Sequence, residues 1–330
     1  DHRDLHSFPT RRSSDLERLP LLCALATEVG IGDTTYLEIQ DRQSASVGSL
    51  SLSVSTRASR SDVNDISGFL VMSSKALAHK GSDQTRLMTD TLTAASFVEG
   101  DRIRELVKQI RARRDQSISG AGHSLAMTAA CASMSPLANL YHTQSGLEGI
   151  ARLRRLDDSL ADTSSLRSLS EELTALREHL LTAPSLNLLT VSDSQNCEAS
   201  TGQLRSAAHG LTSAGNLQPW SLSESVVGTN QIWAANTQVN FCARAYPTVS
   251  SGHPDAPILS VLAAYLRNGF LHRSIREQGG AYGGGASHDG NVGAFRFFSY
   301  RDPRNLETLA DFDASIAWVL SAEPDSLALE

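Results

Sequence analysis

Arg276-Glu277-Gln278-Gly279-Gly280-Ala281-Tyr282-Gly283-Gly284-Gly285-Ala286 is the stretch that most constrains the fold. It sits between a long amphipathic helix pattern and an alternating run, Ala294 to Tyr300, that continues into Arg301-Asp302-Pro303. A chain with this order must turn sharply from a helix into an antiparallel sheet. An arginine near a helix end, and a tyrosine six residues on in a glycine-rich turn, can then converge on one point beyond the strand edge. Arginine offers a fixed donor fork for a peptide carbonyl or carboxylate. A tyrosine hydroxyl can donate to an oxyanion forming on an attacked amide. Glycines permit positive φ and close backbone approach. Chemistry alone leaves an ordinary alternative open: Arg276 paired with a surface acid, Tyr282 capping a core, and the glycines building a tight turn.

The rest of the chain supplies strands and helices in two blocks. Leu19 to Ala26 starts a helix. Ser49 to Thr56 alternates Leu50, Leu52 and Val54 with serines, the pattern of a half-buried strand, and Ser67 to Ser73 is its partner across a polar turn, Arg57 to Asp65. Helices are expected over Ser82 to Phe97, over Asp101 to Arg114 with Asp101 as N-cap, and over Ser117 to Tyr141. Leu147 to Leu160 and Ser165 to Leu181 read as a helical hairpin, with Leu166, Leu169, Leu173, Leu176 and Leu180 at three- and four-residue steps. That stripe admits a coiled-coil partner, but an antiparallel hairpin is the simpler reading. A second block has a strand at Ser185 to Ser192, a helix at Cys197 to Leu211 and a strand within Gln231 to Tyr246. A helix from Asp255, with Pro257 in its first turn, buries Ile258, Val261, Leu262, Tyr265, Leu266 and Phe270. The strand Ala294 to Tyr300 and a helix Leu306 to Leu320 complete the block. The expected architecture is α+β: two related domains of mainly antiparallel sheet, helices packed on one face, joined through the hairpin.

Residues 1–16 lack a hydrophobic period, and Phe8 to Leu16 reads like an in-frame translation of a sequencing adapter. A short Arg-containing targeting peptide is the rival reading, but the segment lacks an apolar h-region and carries three acids among its six charges, so it is set aside as adapter-derived. The expected boundaries are then 17–140, 141–182 for the hairpin, and 183–330. The chain is 40% hydrophobic and 20% charged with a net charge of −7, a composition suited to a globular protein. The acidic balance argues against nucleic acid, which wants a basic face, and suits cationic peptides. No apolar run approaches the ~18 residues of a membrane span. Cys23, Cys131, Cys197 and Cys242 are scattered without C-x-x-C spacing, as buried free thiols would be. There is no H-x-x-E-H, H-E-x-x-H, G-x-S-x-G or P-loop, so no metal ligands and no catalytic centre are recognisable in this chain.

The order of motifs nevertheless resembles the C-terminal half of presequence-protease-type peptidases, zinc metallopeptidases of the pitrilysin/insulinase (inverzincin) group. Leu262-Ala263-Ala264-Tyr265-Leu266-Arg267-Asn268-Gly269-Phe270-Leu271, then Arg276 to Gly283, then Gly293-Ala294-Phe295 and Ser299-Tyr300-Arg301-Asp302-Pro303-Arg304 follow one another at that family's spacing. Leu19-Pro20-Leu21-Leu22-Cys23 with Thr27-Glu28-Val29-Gly30 resembles the opening of its third domain. The resemblance covers about residues 17 to 330. It implies four related domains in two halves closing around a peptide chamber, with zinc and its glutamate-activated water in the half missing here. By carry-over, Tyr282 is catalytic, stabilising the tetrahedral intermediate, and Arg276, Tyr282 and Gly283 bind substrate. The flanking His272 and His288 carry no role. The implied partners are unstructured peptides, such as cleaved targeting peptides, and the N-terminal catalytic half; this chain alone is expected to be inactive. A non-catalytic peptide-binding subunit that pairs with a separate zinc-bearing chain is the alternative. The compartment stays open: cytoplasmic for a bacterial chain, mitochondrial matrix or plastid for an organellar one.

Overall fold

A computed structural model describes residues 13–181, 186–209, 211, 222, 228 and 230–321. The chain divides into two compact units. One comprises Asp1–Thr56, Ser67–Arg111 and Leu153–Ser221; the other comprises Arg57–Ile66, Ala112–Arg152 and Leu222–Glu330. Units defined by contact thus interleave along the chain, whereas the boundaries expected at 140 and 182 follow chain order.

In the first unit, α1 (Ser13–Ala26) carries Leu16, Leu19, Leu22 and Leu25 into the interior. Ser13 to Leu16, set aside with the leading segment, form its first turn, and Leu16 extends the three-residue apolar step backward. After a two-residue strand β1 (Gly30–Ile31) and α2 (Tyr36–Ser46) comes the expected hairpin of β2 (Ser49–Ala58) and β3 (Ile66–Lys75). Next is α3 (Gly81–Ala94), and the following β4 (Ala95–Ser96) pairs antiparallel with β1. The helix expected through Phe97 therefore ends three residues early, because Ala95 and Ser96 are drawn into that pair. Helix α4 (Gly100–Cys131) begins one residue before Asp101, so Asp101 lies in the first turn, paired with Arg104, rather than at the N-cap. Arg102 is nearly enclosed. It bridges Glu28 and Glu105, donates to the Glu28 carbonyl, and lies 4.5 Å over the Tyr36 ring. Helix α7 (Thr163–Leu180) buries all five leucines of its stripe against α1 and α3, and its N-cap Asp162 accepts the Ser165 amide at 2.9 Å. One face thus meets two helices, which satisfies the leucine pattern without a coiled-coil partner. Helix α8 (Cys197–Ala208) packs on α3. The expected strand Ser185 to Ser192 does not form over 186–192. Those residues run without a sheet partner, and Leu186, Leu188, Leu189 and Val191 are exposed. Alternation specifies an apolar edge but not a neighbouring strand to pair with it. Ser185 lies outside the described residues.

In the second unit, the expected helix Ser117 to Tyr141 is split. Helix α4 kinks at Ala121 (φ −132°, ψ 27°) and ends at Cys131; Ser135 then caps α5 (Pro136–Gln144) through the Ala138 amide at 3.2 Å. Helix α6 (Leu147–Ser159) follows at the predicted place and passes from this unit into the other. The sheet is three-stranded and antiparallel, in the order β5 (Ala243–Pro247), β7 (Ala294–Tyr300), β6 (Gly283–Asp289). Strand β5 takes only the end of the expected Gln231 to Tyr246 segment, and Cys242 is the buried residue at its entrance. Gly283 to Gly285 are strand, not turn: β7 pairs with every residue of β6, from Gly283↔Tyr300 to Asp289↔Ala294. Helix α9 (Ala256–Leu266) has Asp255 at the N-cap position and Pro257 in its first turn. It runs into a π-type helix, Arg267–Gln278. With α10 (Leu306–Ser321) these helices cover one sheet face, where Phe295, Phe297, Phe312, Leu266, Leu271 and Ile275 form the core. Phe297 stacks on Phe312 at 5.6 Å. Of the helix face expected to be apolar and buried, Ile258 (64%) and Val261 (53%) are instead exposed. The stripe of α9 is wider than the sheet it covers.

Burial accordingly decides the effect of truncation. Phe297→Ala is expected to cost about 3–5 kcal/mol and Ile258→Ala within about 0.5 kcal/mol, read by denaturant unfolding. Burial also pushes the Cys23 thiol up to about 12 and Cys131 to about 11, and raises Cys242, whereas Cys197 is exposed. A thiol reagent at pH 8 should therefore label Cys197 quickly and the other three only on unfolding.

Candidate functional site

The site grows from the way the π-type helix ends. Such widened turns are rare and often mark functional positions. Arg276 stands in the last turn. The Gly280 amide donates to the Arg276 carbonyl, and the Ala281 amide reaches the Ile275 carbonyl, both at 3.1 Å. This is a closure of the Schellman kind with each span one residue longer, as a π turn requires. Gly280 sits at φ +79°, a left-handed conformation that side-chain-bearing residues resist. At Gly279 a Cβ would fall 1.9 Å from a guanidinium nitrogen of Arg304. The chain then leaves the turn at Tyr282 and enters β6 at Gly283.

A second segment, just past β7, pins this turn. Asp302 is fully buried. Its Oδ1 accepts the Arg304 amide at 2.9 Å, and its Oδ2 accepts the Thr308 hydroxyl at 2.7 Å. Its main chain exchanges two hydrogen bonds with Asn240, at 2.7 and 2.9 Å. Arg304 reaches across to Asp311 at 2.9 Å and donates to the Ser274 carbonyl at 3.4 Å, so its side chain lies along the helix end beside Gly279. Arg301 adopts a left-handed backbone, φ 50°, and its carbonyl accepts the Tyr282 amide at 3.3 Å.

The result is an exposed basic and aromatic surface at one end of the sheet. The Arg276 guanidinium carbon lies 5.9 Å from the centre of the Tyr282 ring. Tyr282 is 67% exposed and meets the Tyr300 ring edge-on at 5.6 Å. The guanidinium of Arg301 lies 5.4 Å over Tyr300. Behind Tyr300, the His123 ring packs at 4.9 Å, and burial holds its pKa below the ordinary histidine value, so it is a neutral wall at pH 7. Arg276, Tyr282 and Gly283 are thus brought to one edge. His272 pairs with Glu277 at 3.4 Å and His288 hydrogen-bonds the Val249 carbonyl at 3.2 Å, ordinary structural partners for both. Tyr300, Arg301 and His123 belong to the surface as well, and sequence reasoning alone misses them as site residues. Alternation along β7 places Tyr300 opposite the buried Phe297 face, a signal that was present, but the left-handed backbone of Arg301 and the approach of α4 carry no sequence signature. Among the described residues no group of three or more His, Cys, Asp or Glu is arranged to hold a metal ion, so these residues do not fit a zinc site.

Comparison with known proteins places this surface in a family. Residues 4–156 match the model of the region associated with peptidase family M16, subfamily C, and residues 230–326, which contain Arg276, Tyr282, Gly283, Tyr300 and Arg301, match the PreP C-terminal domain. The chain belongs to the presequence-protease branch of the pitrilysin family. It is 28% identical over 327 residues to the mitochondrial presequence protease of Danio rerio, covering 91% of this chain and 31% of that protein. It is 27% identical to the Saccharomyces cerevisiae mitochondrial presequence protease, covering 92% and 31%. The chain therefore spans about a third of the length of the curated relatives it matches, and corresponds to their C-terminal region. In fold it resembles a conserved protein from Enterococcus faecalis V583, with a TM-score of 0.59, 14% identity, and 98% of this chain and 75% of that one covered. It also resembles the first half of the periplasmic protease PqqL from Escherichia coli, with a TM-score of 0.51, 12% identity, and 98% and 68% covered. The α+β architecture read from the sequence is thus that of the pitrilysin-like proteases.

The clamp makes a direct prediction for this presequence-protease region. Asp302→Ala removes two hydrogen bonds to a buried carboxylate and is expected to cost about 1.5–3 kcal/mol, measured by chemical denaturation. Asp302→Asn should recover part of that loss, because one amide oxygen still accepts.

Proposed function

We propose that this chain forms a chamber wall and the substrate and transition-state contacts of a zinc-dependent oligopeptidase that degrades unstructured peptides, cleaved targeting peptides among them. The observation that carries the reading is the approach of the exposed Tyr282 ring to Arg276 within the segment that matches the presequence-protease C-terminal domain. The described residues fit no zinc site, so the metal and the attacking water are assigned to a part of the peptidase beyond them. The residues of this chain have three tasks in that scheme. Arg276 forks onto a backbone carbonyl of the bound peptide and sets its register. The Tyr282 hydroxyl donates a hydrogen bond to the oxygen of the attacked carbonyl as negative charge develops there. Gly283, without a side chain, lets the peptide backbone come close beside Tyr282. The net charge of −7 favours approach of cationic peptides. The names of the relatives, mitochondrial and, in Arabidopsis thaliana, chloroplastic/mitochondrial, support an organellar compartment.

The test is peptide hydrolysis by this chain assembled with the zinc-bearing part, whether joined in one polypeptide or supplied as a second chain. Tyr282→Phe is expected to lower kcat by about 10²–10³, the usual worth of one oxyanion donor, with KM little changed. Arg276→Ala is expected to raise KM by about 10- to 100-fold, the loss of one charge-assisted hydrogen bond. An undiminished kcat in Tyr282→Phe would remove the transition-state role, and hydrolysis by this chain alone would overturn the division of labour.

A further inference from the structure

An exposed phenol attached to a turn has little to hold its ring in one rotamer. For Tyr282 that support comes from β7. The Tyr300 ring meets it edge to face, with centroids 5.6 Å apart and planes at 83°, the arrangement that aromatic quadrupoles favour. Tyr300 is itself fixed from several directions. His123 lies edge-on at 4.9 Å, Phe241 at 5.8 Å, and the Arg301 guanidinium at 5.4 Å. Its hydroxyl donates to the Gly120 carbonyl at 3.4 Å. That carbonyl belongs to the residue immediately before Ala121, whose non-helical dihedrals kink α4. The kink in α4, the end of β7 and the glycine turn therefore meet at one tyrosine.

We propose that Tyr300 is a positioning residue that holds the Tyr282 hydroxyl in its hydrogen-bonding direction through ring-edge contact. This rests on the proposed function, in which Tyr282 stabilises the developing oxyanion. Tyr300 touches no reacting atom in this scheme; it narrows the rotamers of a residue that does. Arg276 is anchored on the π-type helix and meets the Tyr282 ring at 5.9 Å, with no contact to Tyr300 of its own among those described.

A double-mutant cycle in the assembled peptidase tests the assignment. Tyr300→Leu is expected to lower kcat about tenfold, below the ~10²-fold that a 1 Å displacement can cost, with KM within about twofold of the parent. Tyr300→Phe keeps the ring edge and should stay within about threefold. In a Tyr282→Phe background, Tyr300→Leu should cause no further loss, because the hydroxyl it positions is gone. Tyr300→Met, close in size, is run beside Tyr300→Leu so that a folding defect in one leaves the other to report, with thermal midpoints measured for both. A full tenfold loss retained in the Tyr282→Phe background, or an unchanged kcat in a folded Tyr300→Leu or Tyr300→Met, overturns the positioning role while leaving the role of Tyr282 intact. An unchanged kcat in Tyr282→Phe alone overturns both.

Discussion

The buried carboxylate of Asp302 organises the C-terminal part of the molecule. Taking a carboxylate out of water costs several kcal/mol, and only a full set of donors offsets it. Here the donors come from the Arg304 amide and the Thr308 hydroxyl, and the backbone of the same residue is locked to Asn240. Each of these bonds fixes a different element. Asn240 precedes β5, Thr308 belongs to α10, and Arg304 leads back to the end of the π-type helix. The Arg304 guanidinium also lies 3.8 Å from Oδ1, so a cation stands beside the carboxylate as well as the two donors.

Arg276 and Tyr282 inherit their places from that set by separate routes. Arg304 runs along the helix end to the Ser274 carbonyl and occupies the space beside Gly279, which fixes the turn from which Arg276 projects. Arg301, one residue before Asp302, accepts the Tyr282 amide and thereby fixes the start of β6. The glycines serve this geometry more than flexibility. Gly280 supplies a left-handed backbone, and Gly279 admits the guanidinium; the three from Gly283 on are regular strand paired with β7. The glycine-rich run is thus a tight helix-to-strand transition under several constraints, which gives a surface tyrosine a defined backbone origin.

Much of this was legible from residue order. The leucine stripe of α7, the β2–β3 alternation, the whole of β7 and the placing of Arg276 and Tyr282 follow from periodicity and turn chemistry, which are local. The errors fall where a local pattern needs a distant partner. The Leu186 to Val191 alternation has the pattern of a strand but lacks a neighbour, and Ile258 and Val261 extend an apolar face past the sheet that could cover it. Gly283 to Gly285 look like turn by composition, yet become strand because β7 offers a complete ladder. The meeting of Tyr300 with Gly120 and His123 is not legible in the sequence at all. Tyr300 and Gly120 lie 180 positions apart, and no local pattern announces the kink of α4 that brings them together.

On the proposed reading, an element of this kind can sit in a region whose described residues fit no metal site, because a transition-state donor does not need to be near its partners in sequence. It needs a rigid backbone origin and a restrained ring. The Asp302 set supplies the first and the Tyr300 contact the second. Neither depends on a metal being held in the described residues. What the peptidase reading requires of this chain is therefore a stiff support for two exposed side chains, and a buried carboxylate hydrogen-bonded at both oxygens meets that requirement better than apolar packing, because it fixes direction as well as distance.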